Sequence, residues 1–219
     1  MRRPLTLFLT TAAIAVTGIA LATPALARPA APSSPAAPSS LAAPSDTTVG
    51  VTYPVTGSTF IKAIHSTIAL GPGTLSTTAD LTTSTLTGTL SLPPATGSFK
   101  EFGLVPVTAT TEMVQDGQAT GTVNFSTNAV TTTATETIKL TSLKVAGLPI
   151  PVGGSCQTSP TTVTVTSQAG FNVLSGGTLS GSYTIPAFSH CGLATFLINL
   201  TLPGPGNTIS LTLGAGTLG

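Results

Sequence analysis

Thr74-Leu75-Ser76-Thr77-Thr78-Ala79-Asp80-Leu81, then Thr82-Thr83-Ser84, then Thr85-Leu86-Thr87-Gly88-Thr89-Leu90-Ser91-Leu92 is the stretch that decides the fold. Leu75, Thr77, Ala79 and Leu81 fall on one side of a period-two pattern, with Thr74, Ser76, Thr78 and Asp80 on the other. After the short polar break, Leu86, Leu90 and Leu92 oppose Thr85, Thr87, Thr89 and Ser91. Side chains alternate across a β-strand, so each run buries one face and wets the other. A break this short predicts a hairpin.

The same alternation recurs outward from this stretch. Val105 to Val114 leads to Asp116-Gly117 and resumes through Thr122-Val123-Asn124-Phe125, which predicts a second hairpin because Asp-Gly supplies the positive φ of a tight turn. Asp80-Leu81-Thr82-Thr83-Ser84-Thr85-Leu86-Thr87 is echoed by Asn124-Phe125-Ser126-Thr127-Asn128-Ala129-Val130-Thr131, as in a meander of related hairpins. Between 136 and 146 the phase slips, since Ile138 and Leu140 lie an odd step from Leu143 and Val145. One extra residue near Thr141-Ser142, a β-bulge, returns all four to the core. Further strands are expected at Val163 to Thr166, Leu179 to Ile185, Thr195 to Leu202 and Ile209 to Leu213, and no amphipathic helix of useful length is expected. Many short strands with Gly and Pro punctuation predict an all-β fold. The expected form is an antiparallel β-sandwich, immunoglobulin-like or jelly-roll-like, with a closed β-barrel as the alternative.

Residues 1–27 read as a signal peptide. Arg2 and Arg3 precede an uncharged apolar run from Leu5 to Leu21, and Ala25-Leu26-Ala27 has the small-x-small form of a cleavage site. Residues 28–46 are almost pure Ala, Pro and Ser, with Ala-Ala-Pro-Ser-Ser at 30–34 and again at 36–40. Such a stretch buries too little apolar surface to order itself and reads as a disordered spacer. Residues 47–219 then form a single all-β domain. The expectation is a secreted, extracellular or cell-surface protein with no transmembrane anchor after cleavage.

Charge in that domain is sparse. Its basic residues are Lys62, Lys100, Lys139 and Lys144, its acidic ones Asp80, Glu101, Glu112, Asp116 and Glu136, and it has no Arg. Without a basic stripe there is nothing to neutralise phosphates, so no nucleic-acid partner is expected. Cys156 and Cys191 are an even pair in an exported chain and are expected to form a disulfide contributing ~3–4 kcal/mol.

The order Gly57-Ser58-Thr59, Leu92-Pro93-Pro94, Gly147-Leu148-Pro149-Ile150-Pro151-Val152-Gly153, Cys156, Tyr183-Thr184-Ile185-Pro186, Cys191-Gly192 and Pro203-Gly204-Pro205-Gly206-Asn207-Thr208 resembles a group of secreted actinobacterial β-rich proteins of unassigned function. The resemblance implies a cell-exterior setting and supplies no catalytic residues.

Chemistry-bearing residues are few. His65 shares a predicted strand face with Ala63 and Thr67, and His190 lies in a loop beside Cys191. There is no Gly-x-Ser-x-Gly elbow, no paired carboxylates for glycoside hydrolysis and no acidic cluster for calcium. No catalytic, cofactor-binding or metal-binding residues are assigned, and no cofactor is expected. The chain has no Trp for stacking sugars, and Tyr183 shares a face with Leu179 and Ile185, which marks it as core. Thr runs such as Thr131-Thr132-Thr133 reflect the β-propensity of Thr on exposed faces. The functional expectation is a non-catalytic module that touches the cell envelope, an extracellular polymer or a partner protein, with Thr85, Thr87, Thr89 and Ser91 as its binding face. The alternative is an extracellular carrier of a hydrophobic small molecule, signalled by a cavity of a few hundred Å3; a secreted hydrolase is third.

Overall fold

Val51, Tyr53 and Val55 alternate with Thr52, Pro54 and Thr56, and the first set is buried while the second is exposed. That alternation opens strand β1 (Thr48–Ile61) and continues through β2 (Ser66–Asp80), β3 (Thr85–Ser91), β4 (Ala95–Glu101), β5 (Val105–Gln115), β6 (Ala119–Asn124) and β7 (Ala129–Val145). Short strands β8 (Leu148–Ile150) and β9 (Gln157–Thr158) precede β10 (Thr161–Ser167), β11 (Gly177–Ile185), β12 (Phe188–Ser189), helix α1 (Ala194–Thr201), β13 (Gly204–Leu213) and β14 (Thr217–Leu218). The computed structural model describes residues 47–101 and 103–219. The signal peptide and spacer expected over 1–46 lie outside the described residues.

The chain is all-β and antiparallel, and of the two architectures expected it takes the closed barrel. Strands run in the order β10-β11-β13-β1-β2-β3-β6-β7, and β7 pairs back onto β10. The first half of β7 therefore has β6 on one edge and β10 on the other, which leaves the ring no free edge. A trail of directly opposed residues runs from Thr48 through Asp80, Thr85, Thr122, Thr131, Thr166, Ser180 and Ser210 to Ser58. It re-enters β1 ten residues beyond its start. Ten residues of stagger over eight strands tilt them by about 40° to the axis, and such a barrel either fills with side chains or holds one small ligand.

The expected β2–β3 hairpin is present, with Leu75 facing Leu90 and Ala79 facing Leu86. Leu81 departs from its expected place, because the turn takes residues 81–84 and leaves it 43% exposed. The echoed stretches make the same turn. Asp80 Oδ1 accepts the backbone N–H of Thr82 and Thr83, Asn124 Oδ1 accepts those of Ser126 and Thr127, and Ser84 and Asn128 both take positive φ. His65, expected on a strand, occupies the same position of the β1–β2 turn with φ of 48°.

Asp116-Gly117 does not make a hairpin. β5 and β6 are not paired with each other; both run along one edge of β7, end to end. Gly117 has φ of 80°, but the positive φ serves an outward bulge rather than a reversal. The gap this leaves beside β3 is closed by Gln115, whose side chain accepts the N–H of Leu90 and donates to the carbonyls of Gly88 and Gly117. The bulge expected near Thr141 is present. Thr110 faces Ser142 and Thr111 faces Leu140, so Thr141 is the extra residue and Leu143 returns to the core.

From Glu136 onward the barrel flares, because β5 replaces β6 beside β7 and β4 adds outside β5. Gly97 of β4 lies so close to Ile68 that a Cβ there would sit 2.7 Å from the isoleucine side chain. The opposite end is closed by the loop before β11, where Phe171 packs inward and Tyr53 donates to the Val173 carbonyl at 2.6 Å.

Thr195–Leu202, expected as a strand, is helix α1. Ala194 and Ile198, four residues apart, are its buried face. Phe196, Ile198, Leu200 and Leu202 recur at every second position, as on a strand, while Ala194 and Ile198 stand at helical spacing, and a run this short satisfies both periods.

Candidate functional site

The flared end builds a cleft. Its floor comes from alternating inward residues of β5 and β7, namely Val107, Ala109, Leu143 and Val145; its walls are Phe99 of β4 and the α1 side chains Leu197 and Ile198. Its volume is about 220 Å3, and Glu101 at the rim is the only charged residue among those lining it. A second space of about 60 Å3 lies deeper, between β1–β2 and β11, and shares Phe99, Ala109 and Leu202 with the first. Its wall carries three hydroxyls, those of Thr59 and Tyr183, at 5% and 6% exposure, and that of the half-buried Thr111. Tyr183 lies in the core as expected, and its hydroxyl is 2.7 Å from Thr59 Oγ1.

Helix α1 is fixed over the cleft by several bonds. The disulfide Cys156–Cys191 forms as expected, with Cα atoms 4.3 Å apart, and joins the segment entering α1 to the loop beside β7. Cys156 carbonyl accepts the Leu140 N–H, and Thr195 Oγ1 accepts the Cys191 N–H. Asn199 grips the backbone of Phe188 from both sides, accepting its N–H at 2.7 Å and donating to its carbonyl at 2.8 Å. The outer surface of α1 stays apolar and exposed, with Leu193, Phe196 and Leu200 more than half open to solvent. Exposed Leu104 belongs to the β4–β5 connection, next to Val105 on the cleft wall. Sequence reasoning missed this site because it took α1 for a strand; the spacing of Ala194 and Ile198 was the available signal.

The expected binding face is laid out in one line. Thr85, Thr89 and Ser91 are exposed and Thr87 is half-buried on the outer side of β3. They face Asp80, Thr78, Ser76 and Thr74 of β2, and Thr85 and Thr87 also face Thr122 and Thr120 of β6. The hydroxyl coat does not stop there. Thr133 faces Thr164, within 3.0 Å between hydroxyls, and Thr164 faces Ser182.

The titratable groups are scattered. His65 meets Phe60 edge-on at 6.5 Å, and His190 Nδ1 lies 2.9 Å from Ser189 Oγ in an exposed loop. Glu136 is buried on the inner face of β7, where burial, then the charge of Asp116, push its pKa up to about 7. Among the described residues no group of three His, Cys, Asp or Glu is placed to hold a metal ion, and no helix is long and apolar enough to cross a membrane. Comparison with protein-family models, with curated proteins and with solved structures finds no match.

Proposed function

We propose that the chain binds a small apolar molecule in the cleft beneath α1 and carries it outside the cytoplasm. The observation that supports this is the cleft itself, about 220 Å3 of space walled by aliphatic and aromatic side chains. Binding pockets are concave and mostly apolar with few polar groups, and this cleft sits only slightly below their usual volume range of ~300–1,000 Å3. Val105 and Leu197, exposed residues of the cleft lining, lower the cost of moving an apolar ligand out of water, since the ligand meets apolar surface as it enters. The leader-like N-terminus and the disulfide suit an oxidising, extracellular location.

The test is equilibrium titration with N-phenyl-1-naphthylamine, a neutral apolar dye whose fluorescence rises out of water. One dye should bind per chain at micromolar concentration, and Ala109→Phe, which fills the shared wall of both spaces, should weaken it at least tenfold. Ala109 is buried on β5, so thermal melting must accompany the titration; overpacking of this kind costs about 1–3 kcal/mol. Saturable binding that Ala109→Phe leaves unchanged in a folded protein overturns the assignment to this cleft.

A second reading is contact with the cell envelope or an extracellular polymer through the outer hydroxyls. What favours it is the continuity of the Thr and Ser rows across β2, β3, β6, β7, β10 and β11.

A further inference from the structure

Of the three hydroxyls in the wall of the inner space, those of Thr59 and Tyr183 are bonded to each other, and their protons can be counted. Thr59 Oγ1 donates its single hydrogen to the Thr208 carbonyl at 3.0 Å. The 2.7 Å bond between Thr59 and Tyr183 then has one possible direction, with the Tyr183 O–H donating to Thr59 Oγ1. Tyr183 has no hydrogen left, and what its oxygen offers the cavity is lone pairs. We infer that Thr59 and Tyr183 form the polar end of the ligand site and select an apolar ligand bearing a hydrogen-bond donor, a neutral alcohol, over an ester or a carboxylate.

This inference rests on the carrier reading and adds the chemical class of the ligand. The inner space of about 60 Å3 is several times the ~10–15 Å3 that a single water needs, so it has room for a hydroxymethyl end. The hydrocarbon tail of the ligand then lies in the outer cleft, past Phe99 and Leu202, which are only half-buried. An ester places an acceptor against an acceptor. A carboxylate does the same, finds no cation among the residues lining either space, and must pass Glu101 at the rim. A site built around one buried hydrogen bond discriminates strongly, because the mismatched ligand loses its bonds to water and gains none.

The experiment is displacement of bound N-phenyl-1-naphthylamine at pH 8 by 1-octanol, methyl octanoate and octanoate, on wild type, Tyr183→Phe and Thr59→Val. In the wild type, 1-octanol should displace the dye at a concentration at least tenfold below that of the ester or the carboxylate. Tyr183→Phe should lose the preference, read as the ratio of the displacing concentrations of alcohol and ester within that variant. Thr59→Val removes the acceptor of the tyrosine proton and makes Tyr183 a donor to the cavity, so the preference should turn towards methyl octanoate. Dye binding with equal displacement by alcohol and ester overturns the inference and leaves the carrier reading standing. An alcohol preference that survives in Tyr183→Phe overturns it too. Absence of dye binding to wild type overturns the carrier reading and this inference with it. Where Tyr183→Phe fails to fold, the direction of the change in Thr59→Val decides.

Discussion

Glu136 stands between Ala134 and Ile138 on the inner face of β7, where a hydrophobic residue would complete the pattern, and no hydrogen bond from a described residue reaches its carboxylate. Its neighbour in charge is Asp116, whose own carboxylate accepts the Thr137 hydroxyl at 2.6 Å. With a folded-state pKa of about 7 against 4.5 when unfolded, the folded chain keeps this proton over an interval in which the unfolded chain releases it. The group therefore leaves stability untouched below pH 4.5. Stability falls as pH rises through 4.5 to 7, by at most about 1.4 kcal/mol per pH unit, and stays reduced above that. Glu136→Gln keeps the shape and removes the titration. Urea unfolding at pH 5 and pH 8.5 should show wild type losing stability at the higher pH and the variant losing much less. Parallel behaviour of the two proteins would place the pH dependence elsewhere.

At the scale of elements, the cleft depends on α1, and α1 depends on the disulfide. The bond closes a loop of 35 residues, so Cys156→Ala with Cys191→Ala should cost about 3–4 kcal/mol in the chain-entropy model. Calorimetry measures that loss. The dye titration adds a local readout, since freeing the segment before α1 should weaken binding even at temperatures where the barrel is fully folded. The elements also mark how far the sequence can be read. The β2–β3 hairpin and the Thr141 bulge were legible because each buries one face against water, and a slip of one residue would invert that face. Asp116-Gly117 misled because φ > 0 serves a bulge as well as a turn. What excludes a reversal is β7, long enough to pair with β5 and β6 in succession. Closure was legible only as an alternative, since a sandwich and a barrel share the same alternation and differ in whether the last strand pairs with the first. The cleft was not legible at all. Its walls come from β4, β5, β7 and α1, and their residues look like ordinary core in the sequence.

The barrel formed by the described residues has apolar surface at its flared end and hydroxyls along its outer wall, and these two regions divide the two functional readings between them. Thr87→Lys with Thr89→Lys separates them. Both side chains project from the outer face of β3, opposite Leu86 and Leu90, and Thr89 is exposed while Thr87 is half-buried. Substitutions on such a face usually change stability by no more than about 0.5 kcal/mol, so the melting temperature should stay close to that of wild type. Neither Thr87 nor Thr89 lines the cleft, so dye affinity should also be unchanged. A contact surface made of uncharged hydroxyls should respond differently, because two ammonium groups must be desolvated wherever a partner covers them. Cosedimentation with isolated cell envelopes should therefore fall in the double variant if the outer wall is an adhesive face. Unchanged cosedimentation together with unchanged dye binding removes the strand-face reading and leaves the flared end as the functional region.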